Sequence, residues 1–324
     1  MKETSEAEGL RLALEAAHRV RGATAPNPPV GACLLDESGK VISVGAHERA
    51  GLPHAEAVAL ERARGVIGTA SAGAGAGARA HTLIVTLEPC NHQGRTPPCT
   101  EAILAAGIRR VIFGTPDPNP RVSGGGAARL LDAGLEVECA ESSECRELIA
   151  PFARWSTTGL PWLAVKTAHR EDGGMIPPAG HKTFTSAESL ALAHDRRRRA
   201  DAILTGSGTV LADDPLFTVR HVPDHAGKRR WLLVFDRRGR VPESWLSSAR
   251  ERGLEPLLWK GSLRAALTFL GERGCLEALV EAGPALSAST LESELWNEHV
   301  AIEAHSTRDR VVIRRPGAAQ LEVR

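Results

Sequence analysis

Long apolar runs are missing from this chain: no segment of its 324 residues reaches the ~18 apolar residues of a membrane-spanning helix. Met1 to Arg21 carries Lys2, Glu3, Glu6, Glu8 and Arg11, and so lacks the apolar core of a secretory signal. An excess of one charge is missing too. Forty basic against 39 acidic side chains leave a formal net charge of +1. With no global field to attract a polyanion, the composition points to a small-molecule substrate and away from nucleic acid. Cysteine is sparse, and six in a chain this long do not make a disulfide scaffold. Tetracysteine and P-loop patterns are absent from the second half. Together these absences predict a protein of the reducing cytoplasm with no membrane contact. The length predicts about two domains of roughly 100–200 residues each. Expected units are 1–150 and 151–324, with a new strand opening at Pro161-Trp162-Leu163-Ala164-Val165-Lys166.

What is present is concentrated in two stretches, Pro53-His54-Ala55-Glu56 and Thr86 to Cys99, TLEPCNHQGRTPPC. They supply a histidine, two cysteines and a spare carboxylate. His54, Cys90 and Cys99 are the candidate zinc ligands, and three protein ligands leave the fourth tetrahedral position open for water. Glu56, two residues after a ligand in the first turn of a helix over 54–64, holds its carboxylate near the metal without binding it, as a general acid/base must. Cys99 starts another helix, whose dipole favours the thiolate that zinc needs. Two thiolates leave the metal centre nearly neutral, so its water is only modestly acidified and Glu56 is needed to take the proton. The order H-x-E, then P-C and a second cysteine, is that of zinc deaminases of nucleobases. Here eight residues separate the cysteines in place of the C-x-x-C spacing.

The rest of the first half reads as an α/β unit. An amphipathic helix over 8–21 stops at Gly22, and Asn27-Pro28-Pro29 forms a rigid loop into a strand at 30–35. A turn at Gly39-Lys40 leads to a second strand at 41–46. Residues 68–80, rich in Gly and Ala, read as a surface linker. The apolar run 81–87 predicts a buried central strand that delivers Glu88, Pro89 and Cys90 to its carboxyl end, where open α/β sheets place ligands. A strand at 109–114, a helix at 127–133, a strand at 135–139 and a connecting helix at 142–155 complete the unit.

The Gly94-Arg95-Thr96-Pro97-Pro98-Cys99 loop, Ala25-Pro26-Asn27-Pro28-Pro29-Val30-Gly31 and Asp117-Pro118-Asn119-Pro120 stand in the order found in one known family. In these pieces the chain resembles the bifunctional riboflavin-biosynthesis deaminase/reductases, which act on diaminohydroxyphosphoribosylaminopyrimidine and then on 5-amino-6-(5-phosphoribosylamino)uracil. The resemblance implies a cytidine-deaminase-like three-layer α/β domain followed by a dihydrofolate-reductase-like α/β domain. It implies Zn²⁺ and NADPH as cofactors, a pyrimidine ribotide as substrate, and a homo-oligomer built through the second domain. It places Asn27, His47, His92, Arg95, Thr96, Asp117 and Asn119 around the substrate, with the Arg95 fork suited to a phosphate. Gly124-Gly125-Gly126 stands where the family has a basic residue between glycines, so one phosphate contact is expected to be missing.

In the second half the closest stretch is ADAILTGSGTVLADDPLFTVR, Ala200 to Arg220. The resemblance marks Lys166, Asp172, Gly173, Thr185, Thr205, Gly208, Thr209, Asp213, Asp214, Arg220, Glu281 and Gly283 as the reductase-like site. The four arginines Arg196 to Arg199 read as solvated charges matched to a helix C-terminus. Several positions depart from the family: Arg170-Glu171-Asp172-Gly173 for serine-leucine-aspartate-glycine, Thr183-Phe184-Thr185 for tryptophan-isoleucine-threonine, Ala282 for a glycine, and Asn297-Glu298 for aspartate-glutamate. The glycine-rich segment that follows in the family is not found in His299 to Arg324, so the second domain reads as shortened. Three readings stay open: the bifunctional enzyme, a deaminase of another small base or nucleotide with a non-reducing back domain, and a non-catalytic zinc-stabilised binding protein.

Overall fold

The computed structural model describes residues 2–67, 80–92, 97–119, 123–176, 181, 183–306, 308–317 and 321–323. The chain divides into two compact units, Met1–Thr158 and Gly159–Arg324. Residue 150, the expected division, lies inside a helix that runs unbroken from Ser143 to Thr158, so the division falls at the end of that helix.

In the first unit α1 (Lys2–Val20) leads into the antiparallel pair β1 (Gly31–Asp36) and β2 (Val41–Ala46). Asp36 closes the turn between them by accepting the N–H groups of Ser38 at 2.8 Å and Lys40 at 2.9 Å. Then come α2 (Ala55–Ile67), β3 (Ala80–Val85), α3 (Cys99–Ala105), β4 (Arg110–Phe113), α4 (Gly125–Asp132), β5 (Glu136–Cys139) and α5 (Ser143–Thr158). The sheet order is β2-β1-β3-β4-β5, with β3, β4 and β5 parallel. The apolar run at 81–87 therefore supplies the middle strand. Strand alternation separates two cores. Ala32, Leu34, Leu83 and Val85 pack with Ala59 of α2, Ile103 of α3 and Leu130 of α4, while Cys33, Leu35 and Ile84 pack with Ala13 of α1. Three layers result. Gly31 permits the close approach of α1, since a Cβ there would lie 2.0 Å from the Ala13 carbonyl oxygen. The Gly/Ala-rich stretch lies outside the described residues except for Ala80, which begins β3.

The second unit contains β6 (Trp162–His169), α6 (Ala187–Arg199), β7 (Ala202–Gly206), α7 (Ser207–Asp213), β8 (Arg230–Phe235), α8 (Glu243–Glu251), β9 (Leu254–Trp259), α9 (Leu263–Gly271), β10 (Glu277–Glu281), α10 (Pro284–Glu292), β11 (Glu298–Glu303), β12 (Arg310–Arg314) and β13 (Leu321–Val323). Its sheet order is β13-β12-β11-β6-β10-β7-β8-β9, parallel from β11 to β9 and antiparallel at β12 and β13. Leu204, Leu233 and Val280 pack with Leu267 and Leu270 of α9 on one face, and Ile203, Leu232 and Val234 with Trp245 and Leu246 of α8 on the other. Helix α6 starts at Ser186, whose hydroxyl accepts the Ser189 N–H. It ends on two cations: Lys228 Nζ donates to the Arg199 carbonyl at 3.0 Å, and Arg230 Nε donates to the Arg197 carbonyl at 2.9 Å. Among the described residues no helix is long and apolar enough to cross a membrane.

Candidate functional site

Three elements of the first unit converge on one point. His54 immediately precedes α2, and its carbonyl accepts the first helical N–H, from Val58, at 3.0 Å. Cys90 follows the carboxyl end of β3, and Cys99 is the first residue of α3. The ligand atoms of His54, Cys90 and Cys99 all lie within 4.8 Å of one another. His54 Nδ1 is 3.2 Å from Cys99 Sγ and 3.5 Å from Cys90 Sγ. Tetrahedral Zn²⁺, with bonds of about 2.0–2.1 Å to nitrogen and 2.3 Å to sulfur, sets such atoms about 3.6 Å apart, so the donor set fits the metal in spacing and in chemistry. The Cys99 backbone N–H points at Cys90 Sγ at 3.4 Å, which favours the thiolate. The hydrogen bond shared with Cys99, helped by His54, pulls Cys90 down to about 4, while that same bond and burial push Cys99 up. His54 is raised by its hydrogen bond to Cys90. Such proton-sharing groups release protons when a cation takes their place.

Glu56 lies in the first turn of α2 and is 4% exposed. Burial raises its pKa, and the Cys90 charge adds to the effect. A carboxyl group shifted in that direction is a better proton acceptor than an exposed one, as a general acid/base requires.

His47 is buried, and burial lowers its pKa. Its Nδ1 is 3.1 Å from the Pro53 carbonyl oxygen, its Nε2 is 3.0 Å from Asn27 Nδ2, and its ring meets that of His54 edge-on at 5.2 Å. Asp117 lies close enough to His92 and Cys90 to feel both charges, and its pKa is raised, chiefly by burial. Its Oδ1 accepts the Asn119 N–H at 2.8 Å. His47 thus meets His54 and faces Asn27, and Asp117, bonded to Asn119, feels the His92 and Cys90 charges, while Arg95 and Thr96 lie outside the described residues.

One residue of this site escapes sequence reasoning. Glu88, 5% exposed, accepts backbone N–H groups from Asp117 at 3.3 Å, Gly124 at 3.0 Å, Gly126 at 3.2 Å and Ala127 at 3.1 Å. Its carboxylate sits on the start of α4 and gathers donors that would otherwise be orphaned there. The triple glycine acquires a structural reason from the same contact. A Cβ on Gly126 would lie 1.8 Å from the Pro89 carbonyl oxygen, whereas one on Gly125 would meet nothing within 4 Å. The only available signal was a carboxylate directly before Pro-Cys.

In the second unit, polar groups collect at the carboxyl ends of the parallel strands. Lys166 of β6 and Glu281 of β10 are partners in register. Arg197 Nε donates to Glu281 at 2.7 Å and its Nη1 to the Thr218 carbonyl at 3.1 Å. Burial alone would raise Glu281, but Arg197 and Lys166 outweigh it and hold the carboxylate below its ordinary range, while burial lowers Lys166. Thr209 Oγ1 accepts the Gly283 N–H at 2.9 Å, linking α7 to the end of β10. The arginines of α6 are not solvated surface charges, contrary to expectation. Arg196 pairs with Glu298, Arg197 with Glu281, and Arg198 and Arg199 with Asp195, their side chains only 12–24% exposed. Two of those acidic partners lie on β10 and β11, the strands either side of β6, which draws the helix end onto the sheet. Asp172 and Gly173 form a tight turn in which Arg170 grips Asp172 at 2.6 Å, and Thr185 bonds locally to Thr183. Asp213 and Asp214 end α7, Asp214 in the left-handed region, and exposed Arg220 donates to Thr218 Oγ1 at 2.7 Å.

Two features of the second unit bear on NADPH. Buried Thr205 Oγ1 and Glu281 Oε1 have no hydrogen-bond partner among the described residues. The backbone at Gly208 is open, since an added Cβ meets nothing within 4 Å. A polar ligand with hydroxyl and phosphate groups fits both.

A three-layer unit with a His-Cys-Cys triad beside a buried glutamate, followed by a largely parallel α/β unit with polar groups at its strand ends, defines a zinc deaminase joined to a reductase-type domain. Residues 3–115 match the cytidine and deoxycytidylate deaminase zinc-binding region, and residues 161–304 match the RibD C-terminal domain. The riboflavin biosynthesis protein RibD of Aquifex aeolicus is 39% identical over 320 residues, covering 91% of this chain and 85% of that protein. That of Escherichia coli K12 is 35% identical over 322 residues, covering 88% and 84%. A solved diaminohydroxyphosphoribosylaminopyrimidine deaminase/5-amino-6-(5-phosphoribosylamino)uracil reductase from Thermotoga maritima superposes with a TM-score of 0.78 at 31% identity, covering 94% of this chain and 87% of that one. The chain belongs to the RibD family of riboflavin biosynthesis proteins.

Proposed function

We propose that the first unit hydrolytically deaminates 2,5-diamino-6-ribosylamino-pyrimidinone 5′-phosphate and that the second reduces the ribosyl group of the product with NADPH. The observation that carries the deaminase reading is the His54-Cys90-Cys99 triad beside Glu56, a carboxyl group with no part in a purely structural zinc site. Zn²⁺ held by the triad supplies a Lewis acid that polarises a water molecule. Glu56 accepts a proton from that water, whose oxygen adds to the ring carbon bearing the amine, and returns it first to the ring nitrogen. It then takes the second proton from the hydroxyl now on that carbon and gives it to the departing amine, so that water and the C–NH₂ bond are consumed and a carbonyl and ammonia are formed. Asn27, His92, Asp117 and Asn119 surround the pyrimidine, and Arg95 and Thr96 are assigned to the ribose phosphate.

In the second unit, NADPH supplies the hydride when bound. Lys166, held beside Glu281, is placed to give the proton that the reduced sugar needs, and Thr205, Gly208, Thr209 and Gly283 line the approach. The free state of all six cysteines supports a reducing compartment, the cytoplasm. The test follows ammonia release and NADPH oxidation separately on zinc-loaded protein with the ribotide. Both signals are expected. Ammonia from free cytosine or guanine alone would overturn the substrate assignment, and ammonia without NADPH oxidation would overturn the reductase assignment.

A further inference from the structure

We propose that His47 acts in the deamination only through Asn27, holding the Asn27 amide so that Oδ1 is the hydrogen-bond acceptor offered to an N–H donor of the pyrimidine. This rests on the deaminase reading above. It departs from the sequence expectation, in which His47 itself touches substrate.

A backbone carbonyl oxygen only accepts, so the 3.1 Å contact with Pro53 places the ring proton of His47 on Nδ1. A neutral imidazole then has a bare Nε2, which can only accept. The group facing it at 3.0 Å is the amide nitrogen of Asn27, which can only donate. Both ring nitrogens are thereby used inside the protein, and His47 has none left for a ligand. Asn27 is left with Oδ1, which takes no hydrogen bond among the described residues, and a second N–H. With the amide turned over, the same position would offer two N–H donors and select a carbonyl edge. Fixing Oδ1 outward selects an edge bearing N–H, as the amines of a diaminopyrimidine do.

Asn27 is itself anchored: its N–H donates to the Thr24 carbonyl at 2.9 Å, and its carbonyl accepts from Thr24 Oγ1 at 2.9 Å. With the backbone fixed there, the contact with His47 is the one that holds the side-chain amide among the described residues.

Two measurements test this. Long-range ¹⁵N–¹H correlation of the histidine rings in the zinc-loaded protein, without substrate, should show His47 protonated on Nδ1 with Nε2 bare. An Nε2–H tautomer or a doubly protonated ring would overturn the proposal whatever the substrate is. The second measurement is a double-mutant cycle on ammonia release from the ribotide, with zinc content checked in every variant. His47→Leu should raise KM roughly tenfold, about the worth of one hydrogen bond, with a smaller change in kcat. His47→Gln, whose side-chain oxygen can still accept from Asn27, should recover most of that loss. In an Asn27→Ala background His47→Leu should cost nothing more. A full loss persisting there would mean that His47 touches the substrate directly, and the proposal fails. If the wild-type protein releases no ammonia from the ribotide while the ring shows the Nδ1–H form, the substrate assignment falls and the orientation of Asn27 stands.

Discussion

Glu88 Oε2 accepts the backbone N–H of Gly124 at 3.0 Å, tying the chain that carries Cys90 to the start of α4. The same carboxylate takes three further N–H groups, so it is the hub that ties Asp117 and the start of α4 to the chain carrying Cys90. Removing it leaves buried donors unpaired at ~1–3 kcal/mol for each that water cannot reach. Glu88→Ala is expected to destabilise the first unit by about 3 kcal/mol or more and to weaken zinc retention. Glu88→Gln, which keeps one acceptor oxygen, should lose less. Urea unfolding of zinc-loaded protein measures the difference, and equal stability of all three would remove the hub role.

Neighbouring glycines give a matched pair. Gly126→Ala must move either α4 or the Pro89 carbonyl, one residue from a metal ligand, because no side-chain motion relieves a 1.8 Å contact between backbone and Cβ. Lowered zinc occupancy and a lower Tm are expected. Gly125→Ala meets open space in the first turn of the same helix, and should be neutral or stabilising by up to ~1 kcal/mol.

The triad and the middle strand are legible in the sequence because their signals are local. His54 and Glu56 sit two residues apart, Pro89-Cys90 follows a β-branched apolar run, and Cys99 opens a helix. What the sequence does not yield is pairing between distant groups. Arg196 and Arg197 resemble solvated helix-end charges because their partners Glu298 and Glu281 lie 102 and 84 residues away. Glu88 looks like a strand-end carboxylate until the loop that folds over it supplies the donors. Nor does a sequence show that the two ring nitrogens of His47 lie 3.1 Å from the Pro53 carbonyl oxygen and 3.0 Å from Asn27 Nδ2. The helix at 142–155 continues to Thr158 with Pro151 inside it, which shifts the unit division past residue 150.

Acidification should weaken the second unit through two buried histidines. Burial, together with Arg197, Arg220 and His221, pushes His194 from 6.5 down to about 4, with Glu281 opposing. Burial, Arg314 and His169 do the same to His299, also to about 4. Both are held neutral, His194 Nδ1 accepting the Arg220 N–H at 2.8 Å and His299 Nε2 lying 2.9 Å from Thr167 Oγ1. Between pH 6.5 and 4 the unfolded chain binds more protons than the folded one, so stability rises with pH across that window. The contribution is full above 6.5 and is lost as pH falls to about 4, at up to ~3 kcal/mol for each histidine. Tm measured from pH 7 to 4.5 should fall less steeply for His194→Asn and His299→Gln than for wild type. Parallel curves would contradict the assignment.

Arg197→Leu leaves Glu281 buried with only Lys166 for compensation, a loss of about 3 kcal/mol in the second unit. NADPH oxidation should disappear while ammonia release continues, because no part of the triad depends on Arg197. Arg197→Lys should not restore reduction, since a single ammonium cannot reproduce the two directed bonds to Glu281 and the Thr218 carbonyl.

The central claim is that Glu56 moves the proton for a hydrolysis at the His54-Cys90-Cys99 centre. Its most direct measurement is ammonia release from the diaminopyrimidine ribotide by Glu56→Gln protein, with bound zinc quantified in the same sample. Zinc bound one per chain with turnover reduced by at least roughly a thousandfold is the predicted result, the scale of losing an essential acid/base. Turnover within a few-fold of wild type, with zinc retained, would contradict it.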